Sequence, residues 1–339
     1  MTGKLSFSYL YDFRNPAPWH RPPETLYAEV LDVAAETEAL GFDGAFVPEH
    51  HLAEDGYMPA PLVALAALAA RTRRMRLGTG IALGPLYQPL RFAEDCAVLD
   101  ILAGGRLQLG LAIGYRACEY AAHGLDFRKR GARFDEFLQI VRRLWDGETV
   151  DFAGDHFTLT GAAVKPLSSR GRIPLYIGGF APKAMERVAR HGDGYFGNPE
   201  VWPLYREKLQ AAGKDPAEAR IWLQGLMLVV AEDKAAALDE LAPHFLHVNN
   251  GYGAWMAEDA DKGAIGLDGP GLRPMTLDAF RASGILQILT PAEAVAHFRA
   301  LQAQAPVEQF TMMMPPGLPA ERFLAYAGLF AREVIPHFQ

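Results

Sequence analysis

The sequence predicts an α/β fold of the (β/α)8, or TIM-barrel, class with insertions. Short β-like runs alternate with longer amphipathic stretches along the 339 residues, giving about eight strand–helix units. Such alternation is typical of parallel strands joined by helical crossovers. Half of the residues are apolar, at 50%, which is enough for a large core. An open doubly wound sheet is the alternative, but it would need fewer strands, and no Gly-x-Gly-x-x-Gly turn follows the first predicted strand.

The predicted elements follow one another in a regular order. The first strand, residues 5–10, precedes a helix over residues 26–40 that ends at Gly41, a residue typical of helix C-caps. The other predicted strands are residues 43–47, 76–83, 106–113, 174–178, 194–197, 221–231 and 310–314. The other predicted helices are residues 61–71, 90–102, 133–144, 182–191, 202–212, 235–247 and 320–334. A further helix is expected after Thr290, which forms a capping-box pattern with Glu293.

Two segments interrupt the alternation within what is predicted to be a single domain, residues 1–339. Residues 148–173 are rich in turn-forming residues and are expected to contain a small hairpin. Residues 249–282 are rich in glycine and proline. An irregular segment of that length inside a compact domain is typical of a lid, a binding loop or disorder. We therefore expect an insertion at 148–173 and a lid at 249–282.

Composition excludes several classes of function. The net charge is −7 with acids and bases interspersed, so no basic groove for nucleic acid is expected. The longest apolar run, within residues 60–70, is too short to span a bilayer, and no secretory signal is expected at the N-terminus. The two cysteines, Cys96 and Cys118, do not predict a disulfide framework. These observations predict a cytoplasmic protein without membrane contacts.

The candidate site lies where the predicted strands end, because a (β/α)8 barrel carries its active site at the carboxyl ends of its strands. Glycines recur at these ends, where a ligand would need close approach to the backbone. The residues collected at these ends are Glu49, His50, His51, Gly80, Gly114, Tyr115, Arg116, Gly178, Gly179, Phe180 and Asn198. No metal site is predicted, because two adjacent histidines in an extended chain point in different directions.

Several of these runs, in order along nearly the whole chain, resemble the bacterial luciferase-like flavin-dependent monooxygenases. The matching runs include Gly41-Phe42-Asp43 with Glu49-His50-His51, Arg76-Leu77-Gly78-Thr79-Gly80, Gly114-Tyr115-Arg116 with Glu119-Tyr120, Ile177-Gly178-Gly179, and His191-Gly192-Asp193-Gly194. The reactive cysteine and the neighbouring phosphate-binding arginine of the luciferases fall at Ala112 and Ile113. These two departures argue against light emission and long-chain aldehyde oxidation.

The resemblance implies a barrel that binds a flavin, or the deazaflavin F420, over its strand ends. It implies a catalytic His50 beside the flavin, with His51 as its neighbour, and a cis peptide at Gly80–Ile81 beneath the ring. For the phosphate, we expect the free N–H groups at the start of the helix that follows residues 178–181 to form an anion site. Arg116 is expected to be a second clamp, on the phosphate or on a substrate acid. The predicted cofactor-contacting residues are Glu49, Thr79, Gly80, Ile81, Gly114, Tyr115, Arg116, Gly178, Gly179, Phe180 and Ala181.

Three functional hypotheses follow. The first is a monooxygenase that takes reduced FMN from a separate NAD(P)H:flavin reductase and uses O2 to oxygenate a small, largely apolar substrate. The second is an F420-dependent dehydrogenase or reductase, and the third is a non-catalytic flavin-binding relative. Members of the family commonly pair through the helices after strands two and three. The Ala- and Leu-rich helix at residues 61–71 therefore predicts a homodimer. The identity of the substrate does not follow from the sequence.

Overall fold

The computed structural model describes residues 4–168, 170–258 and 272–339. These residues contain twelve β-strands and eleven α-helices. The strands are β1 (Ser6–Leu10), β2 (Gly44–Val47), β3 (Arg76–Leu83), β4 (Leu107–Ala112), β5 (Val150–Ala153), β6 (Thr158–Ala162), β7 (Leu175–Gly178), β8 (Gly194–Phe196), β9 (Ile221–Gln224), β10 (Leu228–Val230), β11 (Gln287–Leu289) and β12 (Val307–Met313). The helices are α1 (Pro23–Leu40), α2 (Pro61–Arg71), α3 (Pro89–Leu102), α4 (Ala117–Ala122), α5 (Arg130–Trp145), α6 (Pro182–His191), α7 (Trp202–Ala211), α8 (Lys234–Glu258), α9 (Leu277–Ser283), α10 (Pro291–Gln304) and α11 (Ala320–Glu333).

Eight of the strands close into a barrel. Around it they follow the order β1, β2, β3, β4, β7, β8, β9 and β12, and β12 pairs with β1 to complete the circle. Every neighbouring pair in the barrel is parallel. The predicted (β/α)8 fold class is therefore confirmed, and all eight strands direct their carboxyl ends to the same rim.

Aromatic side chains fill the barrel interior. Trp222 of β9 is fully buried, and its ring lies 4.2 Å from that of Phe46 and 4.6 Å from that of Phe196, centroid to centroid. The indole Nε1 donates a hydrogen bond of 2.7 Å to Thr311 Oγ1, so the one polar atom of the tryptophan has a buried partner. The interior below the rim is thus a packed core.

The helices pack around the barrel in sequence order, with α1 against α2 and α2 against α3. The antiparallel hairpin β5–β6 lies within residues 148–173, which confirms the hairpin expected there. The capping box at the start of α10 is also confirmed, because Thr290 and Glu293 each bind the other's backbone N–H. None of the helices within the described ranges has both the length and the apolar composition that a membrane crossing requires.

The predicted strand over residues 221–231 is wrong as a single element. The strand β9 ends at Gln224, and β10 leaves the barrel to pair with β11 in a separate two-stranded sheet. Gly225 stands at the break, where a Cβ atom would lie 2.0 Å from the Phe310 ring. The apolar residues of β10 resemble a continuation of the strand because they are buried in this second sheet instead.

The prediction of an irregular segment over residues 249–282 is wrong at both ends, where the structure has helices. Helix α8 continues to Glu258 and α9 occupies Leu277–Ser283, while residues 259–271 lie outside the described residues. The glycines in α8 serve close packing. A Cβ atom at Gly251 would lie 2.8 Å from Arg14 Nη2, and one at Gly253 would lie 2.7 Å from the backbone of Arg273. Glycine composition therefore indicated a loop where the helix needs small residues.

Strand β3 approaches β4 so closely that Gly78 has no room for a side chain. A Cβ atom there would lie 1.5 Å from the carbonyl oxygen of Gln108. Gly78→Ala is expected to destabilise the fold by at least ~3 kcal/mol, because backbone rather than a flexible side chain would have to move.

The matched control is Gly328→Ala in α11, where nothing lies within 4 Å of the added atom. That substitution should stabilise the protein by about 0.5–1 kcal/mol through helix propensity. Urea unfolding of both variants measures the free energy of unfolding, which should fall for Gly78→Ala and rise for Gly328→Ala. A Gly78→Ala protein as stable as the wild type would contradict the close packing.

Candidate active site at the barrel rim

The structure brings together the sets of residues predicted at the ends of β2, β3 and β4. His50 and His51 follow β2, and Tyr115 and Arg116 precede the short helix α4 after β4. The ring centroids of His50 and Tyr115 are 5.6 Å apart, and Arg116 Nη1 donates to the carbonyl oxygen of His51 at 2.7 Å. The predicted set Gly178, Gly179, Phe180 and Ala181 lies one strand further round the rim, where it leads into α6.

A buried carboxylate, Glu119, holds this arrangement together. Its side chain is fully buried, and Oε1 accepts hydrogen bonds from His50 Nδ1 at 2.9 Å, from the backbone N–H of His51 at 3.0 Å and from Arg116 Nη1 at 3.2 Å. Burial opposes the charged carboxylate, but the His50 hydrogen bond, the other N–H donors and the nearby positive charge outweigh it and lower the pKa of Glu119. Sequence reasoning did not assign Glu119 to the site.

The bond to Glu119 determines which nitrogen of His50 carries the hydrogen. A carboxylate can only accept, so Nδ1 donates and Nε2 is the ring nitrogen that can exchange a proton with a ligand. The His50 side chain is itself buried, with 8% of its surface exposed. His50 is therefore oriented before any ligand arrives, and a proton that it accepts is stabilised by the carboxylate behind it.

Glu49 holds the second histidine and the end of β3. Its carboxylate accepts from His51 Nε2 at 3.1 Å and from the Tyr87 hydroxyl at 2.8 Å, while the backbone N–H of Leu83 donates to it at 2.6 Å. Burial lowers the pKa of His51, but the hydrogen bond and charge of Glu49, with the charge of Glu119, outweigh burial and raise it. Both oxygens of Glu49, predicted to contact the cofactor, bind protein groups.

Aromatic side chains surround His50. The centroids of four rings lie within 6 Å of the imidazole, namely Tyr57, Tyr115, Tyr252 and Trp255. The last two belong to α8, which therefore crosses the rim above the histidine. The guanidinium carbon of Arg116 lies 4.3 Å from the Trp255 ring, an arrangement that favours the cation. These rings exclude bulk water from the imidazole.

The end of β3, beneath the rim, has the cis peptide that was predicted there. The Gly80–Ile81 peptide is cis. The carbonyl oxygen of Gly80 accepts from Gln224 Nε2 at 2.8 Å, and the hydroxyl of Thr79 donates to the carbonyl of Gly110 at 2.7 Å. Thr79 was predicted to contact the cofactor, yet its hydroxyl is occupied by the neighbouring strand. Gln224, at the end of β9, was not predicted.

Three side chains next to His50 each have a buried polar atom without a hydrogen-bond partner among the described residues: the Tyr115 hydroxyl, Arg116 Nε and Glu119 Oε2. Such groups cost free energy unless water or a ligand satisfies them. They lie beside the imidazole at the mouth of the barrel, so the site suits a ligand with polar edges. No group of three or more histidine, cysteine, aspartate or glutamate side chains in residues 4–168, 170–258 and 272–339 is arranged to hold a metal ion.

Comparison with known proteins places this chain in a family. Residues 5–309 match the family described as luciferase-like monooxygenases. The chain belongs to this family, which confirms the resemblance found in the sequence. The named relatives include both dehydrogenases and monooxygenases, and the oxidoreductase class is what they have in common.

The similar proteins include F420-dependent dehydrogenases and a monooxygenase. The F420-dependent glucose-6-phosphate dehydrogenase of Mycolicibacterium fortuitum is 34% identical over 202 residues, and that of Amycolatopsis mediterranei is 31% identical over 199 residues. These matches cover 56% of this chain, which spans about 60% of the length of those relatives. A monooxygenase from Streptomyces bottropensis is 26% identical, with a TM-score of 0.79 over 99% of this chain and 100% of its own. An F420-dependent secondary alcohol dehydrogenase has a TM-score of 0.74 at 19% identity over 99% of both chains, which shows the shared fold.

Removal of the charge at Glu119 should destabilise the protein in a pH-dependent way. Glu119→Gln leaves the buried Arg116 guanidinium without its carboxylate, so the free energy of unfolding is expected to fall by about 3 kcal/mol near pH 7. Because the pKa of Glu119 is lowered in the fold, its contribution is complete above the ordinary carboxyl pKa and is lost as the pH falls through the acid range. Urea unfolding near pH 7 and near pH 4 should show the difference from wild type shrinking at the lower pH.

The control for this experiment is Asp95→Asn, which breaks the exposed ion pair with Arg91 on α3. Exposed pairs of this kind contribute less than about 0.5 kcal/mol. A Glu119→Gln effect as small as that of the control, or one independent of pH, would contradict the role assigned to the carboxylate.

Proposed function

We propose that this chain is a luciferase-like monooxygenase in which His50 exchanges a proton with the substrate or the oxygen-derived group at the barrel mouth. It would receive reduced FMN from a separate NAD(P)H:flavin reductase and act on a small, largely apolar organic molecule. The observation that carries the proposal is the buried His50–Glu119 pair, 2.9 Å between Nδ1 and Oε1, within a cage of aromatic rings. The monooxygenase likeness over the whole chain, at 26% identity, supports the choice of reaction.

The residues at the rim fit a flavin-type cofactor. The buried Tyr115 hydroxyl, Arg116 Nε and Glu119 Oε2 could each bind a polar edge of the ring system. The phosphate would lie at Gly178–Gly179 and the first turn of α6, where free N–H groups attract anions. When bound, reduced FMN supplies the two electrons that let dioxygen deliver one oxygen atom to the substrate and the other to water.

The protein's own groups prepare that reaction in two ways. His50 Nε2 accepts or returns a proton, and Glu119 stabilises the imidazolium in the state that carries it. The surrounding rings exclude water, which protects oxygen chemistry from side reactions. Arg116 is predicted to clamp the phosphate or a substrate acid, but its contacts with His51, Glu119 and Trp255 support a positioning role instead.

A second candidate, F420-dependent hydride transfer, is favoured by the curated relatives. They are 31–34% identical and are named F420-dependent glucose-6-phosphate dehydrogenases. In that reaction His50 Nε2 would take the hydroxyl proton of an alcohol, and bound F420 would supply the acceptor for the hydride. The two reactions need the same imidazole but differ in their requirement for oxygen.

Turnover with each cofactor separates the two candidates. The purified chain is titrated with FMN and with F420, and each complex is assayed for product with and without O2 on a panel of apolar compounds and alcohols. The monooxygenase proposal expects FMN affinity and an oxygen-dependent product. His50→Gln is expected to lower kcat by about 10²–10⁴ while flavin affinity is retained, because proton transfer contributes factors of this size.

The matched control is His337→Gln, which changes an exposed histidine in the C-terminal turn and should leave kcat unchanged. Oxygen-independent turnover with F420 alone would favour the second candidate. Full activity of His50→Gln would contradict the assignment of proton transfer to this imidazole.

We also propose that the chain forms a homodimer through α2 and α3. These adjacent helices expose apolar side chains on their outer surfaces, with Val63 73% and Leu102 62% exposed. Val98 and Ile101 lie on the same helix as Leu102 and are also exposed. An apolar surface of this kind is typical of a protein interface.

Val63→Arg combined with Leu102→Arg should convert the dimer to a monomer, because burying unpaired charges in an interface opposes association. Sedimentation or light scattering measures the mass in solution. The control, Leu40→Arg at the end of α1, also changes an exposed leucine and should remain dimeric. A double variant that sediments as the wild type does would place the interface elsewhere.

A further inference from the structure

A second cluster of charged side chains lies at the rim, next to the aromatic rings around His50. Asp55 Oδ2 accepts from Arg14 Nε and from His247 Nε2, each at 2.6 Å. Arg14 and Asp55 come from the loops after β1 and β2, whereas His247 belongs to α8. Within this part of the structure, one carboxylate therefore joins the barrel rim to the helix that crosses it.

The helix needs such a contact because its interior contains a proline. Pro243 supplies no N–H for the carbonyl four residues earlier, so the backbone of α8 is weakened between its two halves. The half before Pro243 is anchored separately, because Glu240 accepts from Arg322 of α11. The half after it contains Gly251 and Gly253, which lower helix propensity further.

Several contacts of the second half lie next to the Asp55 cluster. The Tyr57 hydroxyl is hydrogen-bonded to that of Tyr252 at 2.7 Å, and the Arg14 guanidinium carbon lies 4.9 Å from the Tyr57 ring and 5.7 Å from the Trp255 ring. Trp255 in turn lies 4.9 Å from His50, centroid to centroid. A continuous chain of contacts thus leads from Asp55 through α8 to the imidazole.

The Asp55 carboxylate is charged under all ordinary conditions. Burial opposes its charge, but the hydrogen bonds and charges of His247 and Arg14 outweigh burial and lower its pKa to about 2. A charge-assisted hydrogen bond is stronger than a neutral one, and its loss leaves the buried Arg14 with a less effective partner. The hydrogen bond from His247 to the charged Asp55 is therefore a charge-assisted attachment between the rim and this half of α8.

We propose that Asp55 is a positioning residue of the site. By binding Arg14 and His247 together, it fixes the second half of α8 and so places the Trp255 ring against His50. The catalytic part of this inference rests on the proposed function, but the positioning itself does not require any cofactor.

The experiment compares Asp55→Asn, His247→Ala and His247→Gln with the control Glu240→Gln, which breaks the anchor of the first half. Amide hydrogen exchange is measured for residues 246–258, and the His50 ring protons are followed by NMR because the nearby indole shifts them. Asp55→Asn and His247→Ala should speed exchange in residues 246–258 by at least about tenfold and move the His50 resonances, the scale expected for one lost charged hydrogen bond. His247→Gln, which can still donate to Asp55, should recover much of this protection.

The outcomes distinguish the positioning role of Asp55 from the proposed function. Glu240→Gln should affect residues 234–242 and leave the His50 resonances in place. Equal effects of Asp55→Asn and Glu240→Gln on residues 246–258, or no local effect of His247→Ala, would overturn the positioning role. His247 is 30% exposed, so its variants decide the question if Asp55→Asn does not fold. Absence of turnover in the wild type would overturn the proposed function alone, because exchange and NMR require no reaction.

Discussion

The rim of this barrel depends on one buried carboxylate, that of Glu119, which a single oxygen connects to His50, His51 and Arg116. The strands β2 and β4 that these residues follow are not neighbours, because β3 lies between them. Backbone pairing alone would leave the loops after them free to move relative to each other. The carboxylate fixes that relation, and it fixes the orientation of the imidazole at the same time.

The charged groups of the rim mostly bind each other. Glu49 and Glu119 accept from protein donors, and Arg14 lies between Asp12 and Asp55. Burial raises the pKa of Asp12 to about 6, whereas the pKa of Asp55 is about 2. A raised carboxyl pKa makes the fold lose stability as the pH rises through about 4 to 6, and a lowered one makes it lose stability as the pH falls below about 4. The two aspartates therefore have opposite effects on the pH dependence of stability.

Local patterns in the sequence predicted those structural features that depend on residues close together in the chain. Strand–helix alternation gave the barrel, and the spacing of Thr290 and Glu293 gave the start of α10. Glu119 was missed because it lies in a six-residue helix too short for periodicity, although its spacing of three residues from Arg116 was a usable signal. Asp55 and His247 are 192 residues apart, and no local pattern connects them. The end of α8 was missed because glycine reads as a loop former when its packing partners, Arg14 and Arg273, are unknown.

The packed interior beneath the rim has a consequence for how this molecule could diversify. Trp222, with Phe46 and Phe196 around it, separates the mouth from the rest of the barrel. The α8 side chains at the mouth, Tyr252 and Trp255, can therefore be exchanged without disturbing the layer that holds the strands together. Selection for binding of different substrates at the mouth would change Tyr252, Trp255 and their neighbours. The residues of the barrel below would be retained. Because the mouth and the barrel core are separate in this way, related proteins could differ in the reaction at the mouth and still share the fold.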